Sequence, residues 1–175
     1  LDTFEGKKFH SARWEHDVSL ENKRVGVIGT GSTGMQIVPA IVDQVEKLSL
    51  FQRTAQWVLP LPNTAFSEQE KQAFRDRPEL MQEQYDKWAK QFTHSFSRAV
   101  IGGKDEMQKI ADLCLLNLET NVHDPELKER LRPNYRVACK RLVMSDQFYP
   151  AIQKPNAELV TAGIKEIVPE GIVTE

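Results

Sequence analysis

Cysteine is scarce in this chain, neither sign of charge dominates it, and no stretch of it stays apolar for long. Each scarcity excludes a class of protein. Cys114 and Cys139 are too far apart for a metal knuckle and too few for a disulfide framework, so no metal site is expected and a reducing cytoplasm fits best. With 23 Lys and Arg against 25 Asp and Glu, the net charge of −2 provides no basic field to neutralise nucleic-acid phosphates. No apolar run approaches the ~20 residues that cross a bilayer, and the first residues have neither the basic start nor the apolar core of a signal peptide. No membrane partner is therefore expected. No Ser/His/Asp or Cys/His nucleophilic set can be picked out. The chain opens on Leu1-Asp2 without Met, as an excised piece of something longer would.

What is present is an ordinary globular composition, 40% hydrophobic and 27% charged over 175 residues. A chain of this length buries roughly 70% of the surface it exposes when unfolded, enough for a core without disulfides. Residues 1–23 show no clean period and read as a lead-in. Arg24 to Ile28 is a short β-branched run, and Met35, Ile37, Val38, Ile41, Val42 and Val45 follow at near-helical spacing over 32–45. Pro39 inside that pattern predicts a kink or a looser packing. Leu48 to Phe51 reads as a second strand.

After the prolines of 60–63 the character changes to long, charged and helix-forming. Ser67 with Glu70 is a capping box. Pro78 suits a first helical position, and Met81, Tyr85, Trp88, Phe92 and Phe96 form one helical face that reads as core in preference to a substrate wall. Gly102-Gly103 ends that helix. Met107, Ile110, Ala111, Cys114 and Leu118 mark a second helix, and Asp124-Pro125 caps a third. Strand signals return at 135–139, 157–161, 164–168 and 172–174, the last two as a hairpin around Pro169-Glu170-Gly171, and Ser145-Asp146 reads as the cap of a short turn. The expected fold is α/β, a Rossmann-like parallel sheet with a helical insertion and a C-terminal β-hairpin. It divides into a linker at 1–23, a first sheet part at 24–63, the insertion at 64–132 and a second sheet part at 133–175.

Gly29, Gly31 and Gly34 in the run Gly29-Thr30-Gly31-Ser32-Thr33-Gly34 stand between the first strand and the first helix. That context turns a weak G-x-G-x-x-G pattern into a dinucleotide expectation. The first Gly permits a tight turn, the second lets backbone approach a pyrophosphate, and the third allows close helix–strand packing, while the helix N-terminus offers free N–H groups to the phosphates. The bland alternative is a glycine-rich turn with no ligand. At the end of the second strand, where an NAD or FAD site would place Asp or Glu for the ribose, the chain has Gln52-Arg53-Thr54. An Arg there suits a 2′-phosphate and favours NADPH; without the glycine motif it would read as a solvated cation. Lys140 and Arg141 end a basic stretch running from Arg130, by itself a solvated face.

Phe4, Gly6, His10 and Trp14 are spaced F-x-G-x3-H-x3-W. With the glycine run and Gln36, Arg53-Thr54, Trp57, Pro60, Cys139-Lys140-Arg141, Tyr149-Pro150 and Pro155-Asn156, this pattern resembles the Baeyer–Villiger monooxygenases, flavoproteins that use NADPH and dioxygen to insert oxygen beside a ketone carbonyl. The resemblance covers essentially the whole chain, with Glu15 standing where the family usually has Pro or Asp. It implies an NADPH-binding domain of an FAD-dependent enzyme, with the FAD motif outside this chain and the fragment inert alone. It implies that the 4-to-14 motif couples domain movements, that Lys140 is a second contact to the NADPH 2′-phosphate, and that Arg141 is catalytic, stabilising negative charge during oxygen transfer to the ketone. Other readings are the NADPH domain of an N- or S-oxygenating flavoenzyme and a stand-alone NADP-sensing module.

Overall fold

The computed structural model describes residues 2–175, the side chains of Ser95 and Phe96 excepted. A three-stranded parallel sheet in the order β1 (Arg24–Ile28), β2 (Lys47–Phe51), β5 (Ala157–Val160) is its centre. The register pairs Val25 with Leu48, Val27 with Leu50 and Leu50 with Leu159, so one sheet face is apolar throughout. That face is covered by α1 (Ser32–Ile41) and α7 (Phe148–Ile152), which also pack on each other. Met35, Val38, Leu48, Leu50, Phe148 and Leu159 close the core there, each burial contributing about 1.5–3 kcal/mol. Pro39 lies within α1 and does not loosen it, since Val38 before it and Ile41 after it are both buried. Its missing N–H interrupts only the bond to Met35, and the Val42 N–H still donates to the Val38 carbonyl at 3.1 Å. The helix ends at Ile41, short of Val45, which is buried in the turn that follows.

The other sheet face meets an antiparallel hairpin, β6 (Ile164–Val168) and β7 (Gly171–Thr174). Ile172 approaches Gly26 on that face, and the Glu5 N–H donates to the Pro169 carbonyl at 3.0 Å, tying the start of the chain to the hairpin.

Between the sheet halves run α2 (Glu68–Asp76), α3 (Glu79–Phe92), a π-helical turn (Thr93–Ser97), α4 (Arg98–Val100), α5 (Lys104–Asn121) and α6 (Pro125–Arg130). The expected capping box is formed by Ser67 and Glu70. Asp124 caps α6 by accepting the Leu127 N–H at 2.6 Å. Asp124→Ala should cost about 1 kcal/mol, read as a lower midpoint in urea; an unchanged midpoint would mean that α6 is held by its tertiary bonds alone. The α5 pattern is core as expected: Met107, Ala111 and Cys114 pack with Trp57, Val137 and Leu142, and Leu118 reaches the central core. Burial pushes the Cys114 thiol up to about 12, so it stays protonated and inert.

Two further sequence expectations are corrected. Met81, Tyr85, Trp88 and Phe92 do not form core: Tyr85 is 68% and Trp88 42% exposed, because α3 rests mainly on α2 and the π turn and has no buried residue among those described. Phe96, counted in the same stripe, lies outside the described side chains. Residues 135–139 form no strand. Ala138 takes φ 65, incompatible with an extended run, and the Trp57 indole N–H takes up the Tyr135 carbonyl at 2.9 Å. The strand of this region is β4 (Val143–Met144), parallel to β3 (Val58–Leu59), which the sequence pattern did not reveal. Buried Asn117 of α5 donates to the Val58 carbonyl at 3.1 Å and fixes that pair to the helices.

Candidate functional site

β1 ends at Ile28 and the chain turns at Gly29, whose φ of 107 is open to glycine and strained for other residues. The Gly29 N–H donates to the Phe51 carbonyl at 3.0 Å, which sets the turn beside the end of β2. Gly31 stands at the N-cap of α1 with no side chain bonded to the helix end, and the first helical bond, Met35 N–H to Gly31 carbonyl, closes at 3.0 Å. By helix geometry the N–H groups of Ser32, Thr33 and Gly34 are left without intrahelical acceptors, and the dipole makes this end positive.

The two later glycines differ in why they are glycine. A Cβ on Gly34 would lie 2.2 Å from the Gly29 carbonyl oxygen, so its absence lets helix and strand touch. A Cβ on Gly31 would meet nothing within 4 Å, and its φ of −68 suits any residue. No protein atom occupies the space a side chain would take there, which leaves the turn open to a group lying over it. The cradle therefore fits a pyrophosphate.

A hydrogen-bonded frame extends from this turn. Thr30 is buried, and its hydroxyl donates to the Thr54 carbonyl at 3.0 Å. The Gln56 amide donates to the same carbonyl at 3.3 Å and accepts from the Tyr135 hydroxyl at 3.1 Å. The Tyr135 ring lies under the Lys140 ammonium, 4.7 Å from its centroid. The frame thus joins the glycine turn, the Arg53-Thr54 loop and the Lys140-Arg141 loop, three segments singled out from sequence separately. Arg53 and Arg141 are exposed and form no ion pair or hydrogen bond among the described residues. Gln36 is exposed in the first turns of α1, beside the same helix end.

Gln52, one residue before Arg53, is buried, donates its amide to the Arg130 carbonyl at 2.7 Å, and has its N–H on the Val160 carbonyl at 2.8 Å. Arg53 consequently leaves the sheet from an anchored residue. Gln52, Gln56 and Tyr135 escape sequence reasoning because their partners are far along the chain and amides and phenols are common at surfaces.

The residues of the 4-to-14 motif make local contacts of their own. The Phe4 ring covers Gly6 so closely that a Cβ there would be 2.4 Å from it. His10 caps a 3-10 turn at Ser11–Arg13 by accepting the Ala12 N–H at 3.1 Å through Nδ1. Trp14 packs edge-on against Phe9 at 5.1 Å, and two open hollows of about 550 and 800 Å³ flank it. These hollows carry no glycine turn, and the nucleotide geometry lies elsewhere. Among the described residues no cluster of His, Cys, Asp and Glu could hold a metal ion, and no helix is long and apolar enough to cross a membrane.

A parallel sheet whose first strand ends in an open glycine turn at a helix N-terminus defines a Rossmann-like fold. The family model described as flavin-binding monooxygenase-like matches residues 1–65. An uncharacterized monooxygenase of Mycobacterium bovis is 44% identical over 175 residues, covering all of this chain and 35% of the relative. A Baeyer–Villiger monooxygenase of Pseudomonas aeruginosa is 39% identical, covering 99% of this chain and 33% of the relative. Among solved structures, that of OTEMO in complex with FAD and NADP matches 99% of this chain and 41% of its own at TM-score 0.80 and 28% identity. Cyclohexanone monooxygenase from Rhodococcus sp. Phi1 bound to NADP+ matches 99% and 39% at TM-score 0.79 and 26% identity. Over residues 1–65 the chain is thus similar to flavin-binding monooxygenase-like proteins, and over its whole length it is similar to a part of the Baeyer–Villiger monooxygenase of Pseudomonas aeruginosa. It spans about a third of the length of the curated relatives it matches.

Proposed function

We propose that this chain is the NADPH-binding part of an FAD-dependent Baeyer–Villiger monooxygenase acting on small ketones with dioxygen. The observation that carries the reading is Gly31, a glycine that the protein's own packing does not require, at the bare N-terminus of α1 and on one frame with Arg53. When bound, NADPH supplies the hydride that reduces the flavin. The chain's own residues receive and orient it. Backbone N–H groups of Ser32, Thr33 and Gly34 take the pyrophosphate, with Thr30 holding the turn and Gln36 beside it. Arg53 and Lys140 take the 2′-phosphate, with the Thr54 carbonyl bracing their loop. Arg141 stands in the Lys140 loop with its guanidinium uncommitted, a permanent charge available where negative charge develops during oxygen transfer.

On this reading 1–23 is the linker between the nucleotide parts, Phe4, Gly6, His10 and Trp14 shaping it, and 64–132 is an insertion between the sheet parts of 24–63 and 133–175. The relatives that match over this chain are about three times its length, and on this reading the FAD site is formed by residues outside this chain. Two free thiols, one buried and one exposed, suit a reducing cytoplasm.

Arg53→Ala tests the reading. Loss of charge-assisted bonds to a phosphate should weaken NADP+ binding by about tenfold to a hundredfold, with NAD+ held within twofold. Calorimetric titration of the parent and the variant with both dinucleotides measures it. Equal losses for the two would remove Arg53 from the 2′-phosphate.

A further inference from the structure

Lys140 belongs to a loop without regular structure, and a lysine on such a loop loses much rotamer freedom when it settles on one phosphate. The structure contains a device that restrains it beforehand. Tyr135 presents its ring to the ammonium at 4.7 Å, while its own position is set at both ends. Its hydroxyl donates to Gln56 Oε1 at 3.1 Å, and its carbonyl accepts the Trp57 indole N–H at 2.9 Å. Gln56 in turn is bonded to the Thr54 carbonyl, which the glycine-turn hydroxyl of Thr30 also reaches. Desolvation raises the phenol's pKa, so the hydroxyl keeps its proton and remains a donor at neutral pH.

We propose that Tyr135 is a positioning residue for coenzyme selectivity, holding the Lys140 ammonium on the same hydrogen-bonded frame that carries Arg53. The assignment rests on the NADPH reading above and extends it to a residue that does not itself touch the phosphate. A ring face leaves the ammonium's outward N–H donors free, so Lys140 is restrained without being neutralised, unlike a lysine paired with a carboxylate. Selectivity then depends on an aromatic side chain that itself carries no charge.

The test is a double-mutant cycle in the intact polypeptide, with NADP+ and NAD+ dissociation constants measured for the parent, Tyr135→Leu, Tyr135→Phe, Lys140→Ala and Tyr135→Leu/Lys140→Ala. Removing the ring should weaken NADP+ about fivefold and leave NAD+ within twofold. Tyr135→Phe keeps the ring and fills the same space, so it should retain at least half of the parent's preference. In the Lys140→Ala background, Tyr135→Leu should cost NADP+ nothing further, because the residue acts through the lysine.

Equal weakening of both dinucleotides by Tyr135→Leu, a full NADP+ loss persisting without Lys140, or a Phe variant as unselective as Leu would each overturn the assignment. A parent that binds NADP+ no more tightly than NAD+ would instead remove the coenzyme reading itself, and Tyr135's role with it. The two failures are thus separated by the parent titration.

Discussion

Gly31→Ala should abolish dinucleotide binding while leaving the fold intact, and Gly34→Ala should do the reverse damage first, unfolding the turn before any ligand is added. At position 31 the backbone is already in a conformation that alanine accepts, and the new Cβ meets no protein atom within 4 Å. Stability should therefore move by less than about 1 kcal/mol, since lost chain freedom in the unfolded state offsets the poorer helix cap. The methyl instead fills the space over the N–H groups of α1, and the loss of two or more phosphate bonds weakens binding at least about a hundredfold. At position 34 the Cβ would sit 2.2 Å from a backbone oxygen, which cannot rotate away as a side chain can. Helix α1 must lift off β1 and uncover Met35 and Val38, at a cost of about 3 kcal/mol or more and a melting temperature lower by about 10 °C. Thermal melts and NADP+ titrations of the two variants check both halves. Parent-like binding by Gly31→Ala would mean that no pyrophosphate lies over this turn.

The sequence made that turn legible because its requirements are local. A β-branched run, three spaced glycines and a helical apolar period occupy adjacent residues, and the structure places β1 and α1 there. Helix ends carried by single side chains were equally readable: Ser67, Asp124 and Ser145 all accept N–H groups at the starts of helices where their spacing suggested caps. Reading failed where the answer lies far along the chain. Nothing near Tyr135 says that Trp57 will claim its carbonyl, and without that bond residues 135–139 read as a strand. The apolar stripe of α3 failed for another reason. Periodicity reports that a helix has an apolar face, not that the described residues cover it, and here Tyr85 and Trp88 face outward. The frame from Thr30 through Gln56 to Lys140 was unreadable as a unit, although two of its ends, the glycine turn and Lys140, carried motifs.

On the proposed function, Arg141→Ala in the intact enzyme should consume NADPH and bleach the flavin at the parent's rate yet yield no ester from a ketone. Hydride donation depends on how the dinucleotide is seated, and that seating is assigned to the α1 end, Arg53 and Lys140, whose side chains form no hydrogen bond with Arg141. Oxygen transfer to a ketone concentrates negative charge, first on the attacking oxygen and then on the former carbonyl oxygen. A guanidinium stabilises both without giving up a proton, and removing one such donor from a reacting centre typically costs two to three orders of magnitude in rate, about 3–4 kcal/mol. Two features of the loop suit a residue aimed outward for this purpose. Arg141 is exposed with no partner among the described residues, and it follows Ala138, whose φ of 65 is a strained backbone state for alanine. Stopped-flow reduction beside product analysis distinguishes the steps for Arg141→Ala. Normal ester yield would remove Arg141 from the chemistry, and slowed reduction would reassign it to the coenzyme alongside Lys140.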